Sequence, residues 1–435
     1  MKHSAKKEVR LGLVGLGTVG TGVYKIIRAQ ANAIEKKTGV RFVLKKIAVR
    51  SLSKKRIAGV PRSLLTTDAM SVATDPAIDI LIELVGGIHP AREIIQRALA
   101  SGKHIVTANK ALLAEAGEEV FSAADRYSRK IGFEASVCGG IPIIKSVKEG
   151  LVSNEISQFL GIVNGTCNYI LSQMSEKGVD FKETLAEAQA KGYAESNPAL
   201  DIDGVDSAHK LAVLARLAFG SVIPFKKIHV EGIRSLDKED IEYARELGYV
   251  VKLLAVAKKQ KNGLELRVHP TLLPQDHPLA NVRGVYNAVF IHADQAGDLL
   301  FYGRGAGMMP TASAVMSDVV DIGKKISLGN RKIPVIASTL GRKKILPIDE
   351  TVSKYYLRFQ VADKPGVLGM IAETLGRNQI SILSVNQKQS HRTKSVPVII
   401  LTYEATEKNI RRALKSIDAT RAVSRKTTLM RVETS

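Results

Sequence analysis

The sequence predicts an α/β chain: a doubly wound parallel sheet, a central α+β region and a small C-terminal βαββαβ module. Three observations lead there. Apolar strand runs alternate with helical runs as far as Val137, the rhythm of a parallel sheet with helical crossovers. Val250 to Ala257 and Leu264 to Val268 then follow each other with no helix between them, as paired strands do. From Tyr355 onward the order βαββαβ restarts over a length that suits a separate small domain.

The first strand, Glu8 to Val14, alternates Val9, Leu11 and Leu13. It runs into Gly15-Leu16-Gly17-Thr18-Val19-Gly20 and then a helix from about Val19 to Ala33. Glycines here permit a tight turn and close backbone approach, and the helix N-terminus faces a pyrophosphate. The spacing alone is weak, but the strand before and the helix after strengthen it, so the sheet is expected to be Rossmann-type. The second strand, Phe42 to Val49, ends at Arg50, where an NAD-preferring site usually places an acid. Arg50 and Lys54 suit a 2′-phosphate instead, which favours NADP(H) over NAD(H). Further strands run Ile78 to Val85, His104 to Thr107 and Ile131 to Val137, with a helix from Pro90 to Ser101. Ligands lie at the carboxyl ends of such strands, which puts Lys110 and Glu134 beside one.

Ser157 to Val163 reads as a strand, Asn164-Gly165-Thr166-Cys167-Asn168 opens a helix, and Ala186 to Lys191 is helical. Gly303-Arg304-Gly305-Ala306-Gly307 precedes a helix to about Lys324, another N-terminus suited to an anion. Polar, basic and Pro-bearing residues from Gly329 to Ser353 mark a connector. The last module runs strand Tyr355 to Val361, helix Val367 to Asn378, and strands Ile380 to Gln387 and Val396 to Tyr403. Helix Glu407 to Ser416 and strand Thr427 to Val432 complete it. The expected domains are 1–141, completed by part of 308–345, then 142–307, the 329–353 linker and 354–435.

Composition narrows the function classes. A 435-residue chain with 45% hydrophobic and 24% charged residues is ordinary for a soluble globular protein. The net charge of +22 raises the question of nucleic acid or an anionic membrane. The basic clusters are scattered, from Lys36-Lys37 to Arg342-Lys343-Lys344, with no Trp and no aromatic interleaving. The excess therefore reads as solvated surface, and neither partner is expected. Cys138 and Cys167 are the two cysteines; they exclude a disulfide framework and suit a reducing cytoplasm. No apolar run reaches the roughly 18 to 20 residues of a spanning helix.

The most informative stretch is Gly192 to Lys210. Glu195, Asp201, Asp203, Asp206, Pro198 and Lys210 lead there into the apolar helical run Leu211-Ala212-Val213-Leu214-Ala215. Asp206 and Lys210 stand four apart and share a helix face. An exposed pair of this kind is a solvated salt bridge worth a few tenths of a kcal/mol. At the mouth of a buried helix the same pair is a costly desolvated cluster, the kind that serves chemistry.

Gly192-Tyr193-Ala194-Glu195-Ser196-Asn197-Pro198, followed by Asp201-Ile202-Asp203-Gly204-Val205-Asp206 and Lys210, resembles the signature of homoserine dehydrogenases. The resemblance extends to the nucleotide loop, Thr107-Ala108-Asn109-Lys110, Asn164-Gly165-Thr166 and the Gly303 to Gly307 run. Asp363-Lys364-Pro365-Gly366-Val367-Leu368 resembles an ACT domain, an amino-acid-sensing module. No aspartokinase segment precedes, as in the monofunctional form.

The resemblance implies reversible reduction of L-aspartate 4-semialdehyde to L-homoserine with NAD(P)H, on the route to threonine, methionine and isoleucine. Hydride delivered to an aldehyde leaves an alkoxide that needs a proton and a positive neighbour. Lys210 is the implied general acid, its pKa lowered by partial burial and its position held by Asp206. Lys110 supplies a second cation. Glu195 and Asp206 are implied for the amino end of the substrate, and Thr166 is a further implied substrate-binding residue. Gly15, Gly17, Thr18, Val19 and Gly20 cradle the pyrophosphate, with Gly192 and Gly307 closing on the cofactor. A monovalent cation site, often sodium in the family, maps onto Glu134, Val137, Gly139 and Ile141, where carbonyls plus one carboxylate suit a hard ion. An amino acid, threonine by implication, is expected at the ACT module between paired chains, in a homodimer or homotetramer.

Two other readings stay open. A different NAD(P)-dependent dehydrogenase on the same scaffold requires the Asp206 and Lys210 spacing to be coincidence. A non-catalytic amino-acid sensor has no need of Lys210, Asp206 and the loop glycines. Alcohol formation needs no nucleophile, so both cysteines read as packing residues. His209 is expected to face a neighbour rather than a metal. Removal of residues after about 350 is expected to spare catalysis and remove inhibition.

Overall fold

The computed structural model describes residues 7–53, 59–329, 341–387 and 395–434. One unit gathers Met1–Ser157, Ala208–Phe225 and Tyr286–Lys343; the other gathers Gln158–Ser207, Lys226–Val285 and Lys344–Ser435. The first unit takes in 308–343, where completion by part of 308–345 was expected, and also Ala208–Phe225 and 286–307.

In the first unit the strands β1 (Lys7–Val14), β2 (Val40–Ala48), β3 (Leu65–Thr66), β4 (Ile80–Glu83), β5 (His104–Thr107) and β6 (Ile131–Gly132) form one sheet. Its pairings are parallel and its order is β3-β2-β1-β4-β5-β6. This is the doubly wound order whose reversal beside β1 creates a ligand crevice. Val9, Leu11 and Leu13 are fully buried. The helix after β1 runs Thr18–Thr38, longer than the sequence suggested, and stops at Gly39 with φ 71°. Lys36 and Lys37 in its last turn complement the negative end of the helix dipole.

The Met308–Ser327 helix returns to the same core, placing Val315, Val319 and Ile322 with Leu11, Val23 and Ile27. Burying side chains of this size contributes roughly 1.5–3 kcal/mol each. The close approach requires glycine at position 22, where a Cβ would stand 2.8 Å from the Ala312 Cβ and the Met308 carbonyl. The hairpin Tyr286–Ala293 and Gly297–Arg304 also belongs here. Its alternating run was not read from the sequence.

In the second unit Ile156–Ile162 pairs antiparallel with Tyr249–Gln260, which pairs antiparallel with Gly263–Pro274. The βαββαβ order of the C-terminal module is present: strands Val352–Ala362, Ile382–Gln387, Ser395–Thr402 and Val423–Val432 with helices Val367–Arg377 and Glu407–Asp418. Both helices pack on one face over Tyr355, Leu357, Phe359, Ile371, Ile400 and Ile410. The module is not a separate bead. Val423–Val432 pairs in parallel with Gly263–Pro274 through Thr271↔Arg431 and Leu272↔Val432. The described end of the expected linker is engaged too: Leu264 N–H donates to the Lys344 carbonyl, and Leu346 N–H donates to the Leu264 carbonyl.

Charge is buried at this junction. Arg431 is fully buried and donates to Glu407 at 2.8 Å and to Glu231 at 2.8 Å. Arg267 pairs with Glu265 and Glu433, and Lys258 reaches Glu433 at 2.5 Å. Burial and the flanking arginines hold His269 well below the usual histidine range.

Truncation near residue 350 therefore strips a strand from Gly263–Pro274, leaving Arg267 with Glu265 but without Glu433, and Glu231 with His229 but without Arg431. We expect aggregation or loss of cooperative unfolding rather than a working, uninhibited core. Arg431→Met removes the buried partner of Glu407 and leaves it only the more exposed Arg411; it should be clearly destabilising, by up to about 3–5 kcal/mol, measured by urea denaturation.

Candidate active site

The loop after β1 is built for close approach. Gly15 has φ 101°, and a Cβ there would lie 2.6 Å from the Leu84 carbonyl oxygen; a Cβ on Gly20 would run into the Gly15 carbonyl. Gly17 differs, since a Cβ there meets nothing within 4 Å. It is the exposed N-cap of the Thr18–Thr38 helix, with no side-chain cap and no acid in the first turn. Thr18 is exposed and Val19 half-buried. An uncapped N-terminus of a long helix fits the pyrophosphate of a dinucleotide. Arg50 is exposed just beyond β2, and Lys54 lies outside the described residues. Gly307, with φ 124°, is the N-cap of Met308–Ser327.

The ends of β4 and β5 are tied together. Glu83, fully buried, accepts from the Val85 amide at 2.7 Å and the Gly86 amide at 3.2 Å. It also accepts from the Thr107 hydroxyl at 2.7 Å. The Thr107 Oγ1 accepts from the Asn109 amide at 3.0 Å. Asn109 donates through Nδ2 to the Gly87 carbonyl at 2.6 Å, and its Oδ1 caps the Lys110–Glu115 helix by accepting from Leu112 N–H. Lys110 is the first residue of that helix and is half-buried.

Lys210 lies on the Val205–Phe219 helix and is half-buried. Two contacts dock that helix in the first unit. His209 Nε2 meets Glu115 at 2.9 Å and its ring stacks on Phe225, while the Arg216 guanidinium sits 4.7 Å over the Phe121 ring. His209 thus pairs with a carboxylate at the far end of the helix that begins at Lys110.

The segment expected as strand Ile131 to Val137 leaves the sheet after Gly132. Glu134 N–H donates to Asp318 at 2.7 Å rather than to a ladder partner. The Glu134 carboxylate accepts from the amides of Ile144 and Lys145, each at 2.9 Å. Burial, then the neighbouring Asp318 charge, push Glu134 up to about 7; burial pushes Asp318 up to about 6. Val137 and Ile141 are buried, and Gly139 has φ 46° where a Cβ would approach the Gly305 carbonyl at 2.5 Å. Ile141 carbonyl oxygen accepts from Ile143 N–H at 2.8 Å. Each Glu134 carboxylate oxygen accepts from one amide and keeps a further lone pair, so this loop can offer a cation backbone carbonyls and the carboxylate.

In the second unit Asn164 joins two acids. Its Nδ2 donates to Asp206 at 2.8 Å and to Asp201 at 2.7 Å, while its Oδ1 caps the Gly165–Lys177 helix through Cys167 N–H. Asp206 is buried in the first turn of its helix, where the dipole favours an anion. The Thr166 hydroxyl donates to the Tyr193 carbonyl at 2.6 Å and anchors the loop that carries Glu195. Glu195 and Gly192 are exposed, and Gly192 has φ 71°. Cys167 donates its thiol to the Asp201 carbonyl, and both cysteines are buried.

Comparisons with known proteins decide what this arrangement belongs to. Residues 15–134 match the homoserine dehydrogenase NAD binding domain family, 142–320 the homoserine dehydrogenase family and 355–421 the ACT domain family. A homoserine dehydrogenase of Neisseria gonorrhoeae is 44% identical over 432 residues, covering 98% of this chain and 99% of the relative. The chain belongs to the homoserine dehydrogenase family. The crystal structure of a homoserine dehydrogenase from Thiobacillus denitrificans superposes with a TM-score of 0.93 at 44% identity, covering 98% of this chain and 99% of that one. A hyperthermophilic archaeal homoserine dehydrogenase solved in complex with NADPH matches at TM-score 0.64 and 26% identity, covering 73% of this chain and 98% of its own.

The chain is thus an NAD(P)-dependent oxidoreductase that interconverts L-aspartate 4-semialdehyde and L-homoserine, with an ACT domain. Among the described residues no helix is long and apolar enough to cross a membrane. Within the first unit the structure brings together the glycine loop and the strand ends that carry Lys110. Sequence reasoning missed Glu83 and did not single out Asn164 as the link between two acids. A lone acid ending an apolar strand, as in Ile82-Glu83-Leu84, was the available signal for Glu83.

Glu134 and Asp318 titrate above the ordinary carboxylate range when folded and return to it on unfolding. Their favourable term is complete below about pH 4 and is lost as pH rises through 6 to 7. Asp318→Asn should flatten the fall in stability between pH 4 and 8 by roughly 2–3 kcal/mol, read by denaturant melts at constant sodium.

Proposed function

We propose that Lys210 is the general acid of the reduction and that Asp206, four residues earlier on the same helix, sets its position. The observation that supports this most is the Val205–Phe219 helix itself, which carries both side chains on one face. Asp206 is fixed by Asn164, and the Lys210 end is fixed by the bond of His209 to Glu115. The bound nicotinamide supplies the hydride. Lys210 then gives its proton to the aldehyde oxygen as charge develops there, and takes one from the alcohol in the reverse direction. Lys110 contributes a second positive charge to that oxygen. Glu195 and Asp206 take the ammonium group of the substrate, and Thr166 shapes the loop that presents Glu195.

Gly15 through Gly20, with Gly192 and Gly307, hold the dinucleotide. Arg50, with Lys54, favours the 2′-phosphate of NADP(H), a reading supported by the NADPH complex of the archaeal relative. A monovalent cation, sodium by preference, is held at Glu134, Val137, Gly139 and Ile141 by backbone carbonyls and one carboxylate. Threonine binds the ACT module around Asp363 to Leu368, between modules of two chains in a dimer or tetramer, and the enzyme works in the cytoplasm.

Lys210→Ala should cut turnover of aspartate semialdehyde by roughly 10²–10⁴-fold while NADPH binding, followed by its fluorescence, persists. Unchanged turnover would sink the assignment. Arg50→Ala should lower kcat/KM for NADPH more than for NADH. Isothermal titration without heat from threonine would remove the proposed effector.

A further inference from the structure

We propose that the buried carboxylate of Glu83 is a positioning residue for the reduction: through Thr107 it sets the turn that presents Lys110. This rests on the role given to Lys110 above. The geometry is a relay with one polarity. Glu83 ends β4 and takes three donors, the Val85 and Gly86 amides and the Thr107 hydroxyl. Having donated its proton to Glu83, the Thr107 oxygen is left to accept from Asn109 N–H. Asn109 then fixes the first turn of the Lys110–Glu115 helix through its side-chain cap, and it ties back to the Gly87 carbonyl.

The loop after β4 is not free to drift. Leu84 N–H donates to the Val14 carbonyl at 2.8 Å, and the Leu84 carbonyl faces Gly15 so closely that a Cβ there has no room. Gly86 and Gly87 have φ 78° and 71°, a turn that few other residues adopt. One carboxylate therefore joins the turn of β4, the turn of β5 and, through Leu84, the glycine loop. A misplacement of 1 Å at a reacting centre costs about 10²-fold in rate, so a side chain with this role acts on kcat without touching substrate.

Glu83→Gln tests the polarity, because an amide keeps the shape but turns a donor toward the Thr107 hydroxyl. Thr107→Val removes the hydroxyl at constant volume, and Thr107→Ser restores it. We expect Glu83→Gln and Thr107→Val each to lower kcat by at least about tenfold. The double variant should be no worse than the poorer single one. Thr107→Ser should turn over near wild type, and NADPH affinity should stay within about threefold in all of them. If Glu83→Gln does not fold, the Thr107→Val and Thr107→Ser pair carries the test.

Singles within twofold of wild type, losses that multiply in the double variant, or NADPH affinity that falls in step with kcat would each overturn the proposal. Lys110→Ala separates this from the reading beneath it. Wild-type turnover in Lys110→Ala overturns both. Lost turnover in Lys110→Ala, with Glu83→Gln and Thr107→Val at wild-type rates, overturns the positioning role alone.

Discussion

A parallel sheet leaves backbone amides without ladder partners wherever a strand ends, and a buried amide without a partner is costly. The functional face of the first unit is organised by how those amides are satisfied. Glu83 takes the two after β4, Asn109 takes the one that opens the next helix, and Asp318 takes Glu134 N–H where β6 stops. Glu134 in turn takes the amides of Ile144 and Lys145. Buried acceptors thus fix the turns at the carboxyl ends of β4, β5 and β6, and the start of the Lys110–Glu115 helix follows from turns held this way. The glycine loop after β1 keeps an uncapped N-terminus on a long helix, a place suited to an anionic ligand.

Much of this was legible in the sequence. Val9, Leu11 and Leu13 followed by Gly15, Gly17 and Gly20 specify a strand, a turn and a helix on local chemistry alone. Asp206 and Lys210 share a face because a helix has a fixed period. The hidden parts depend on partners far away in sequence. Nothing near Glu134 says that Asp318 and the amides of Ile144 and Lys145 will draw it out of the sheet. The return of part of 308–345 to the first domain was expected, but nothing near Phe42 or Tyr24 says which side chains of Met308–Ser327 join their core. The Tyr286–Arg304 hairpin was overlooked because its second strand alternates half-buried with exposed residues, a weak pattern beside a glycine-rich run.

The sensing module illustrates the same limit. Its strand and helix order is clear from residues 354–435, and the length invites a picture of a detachable domain. The structure instead joins its last strand to Gly263–Pro274 and seals the seam with Arg431, Glu231, Glu407, Arg267 and Glu433. Buried pairs of this kind add little net stability compared with apolar packing, but they penalise any arrangement that separates the partners. A ligand that shifts the Val423–Val432 strand therefore moves a strand shared with the sheet that also holds Tyr249–Gln260.

That shared strand also bears on how the protein is made. Arg267 and Glu433, which close the seam, are 166 residues apart in the chain. Before the C-terminal residues are made, Gly263–Pro274 has Tyr249–Gln260 on one side, and on the other the short strand His229–Val230 reaches only Arg267 and Val268. Contacts of such long sequence separation form slowly, and open apolar edges invite association with other chains. Until Val423–Val432 has been made, Thr271 and Leu272 lack the strand that covers them in the folded protein.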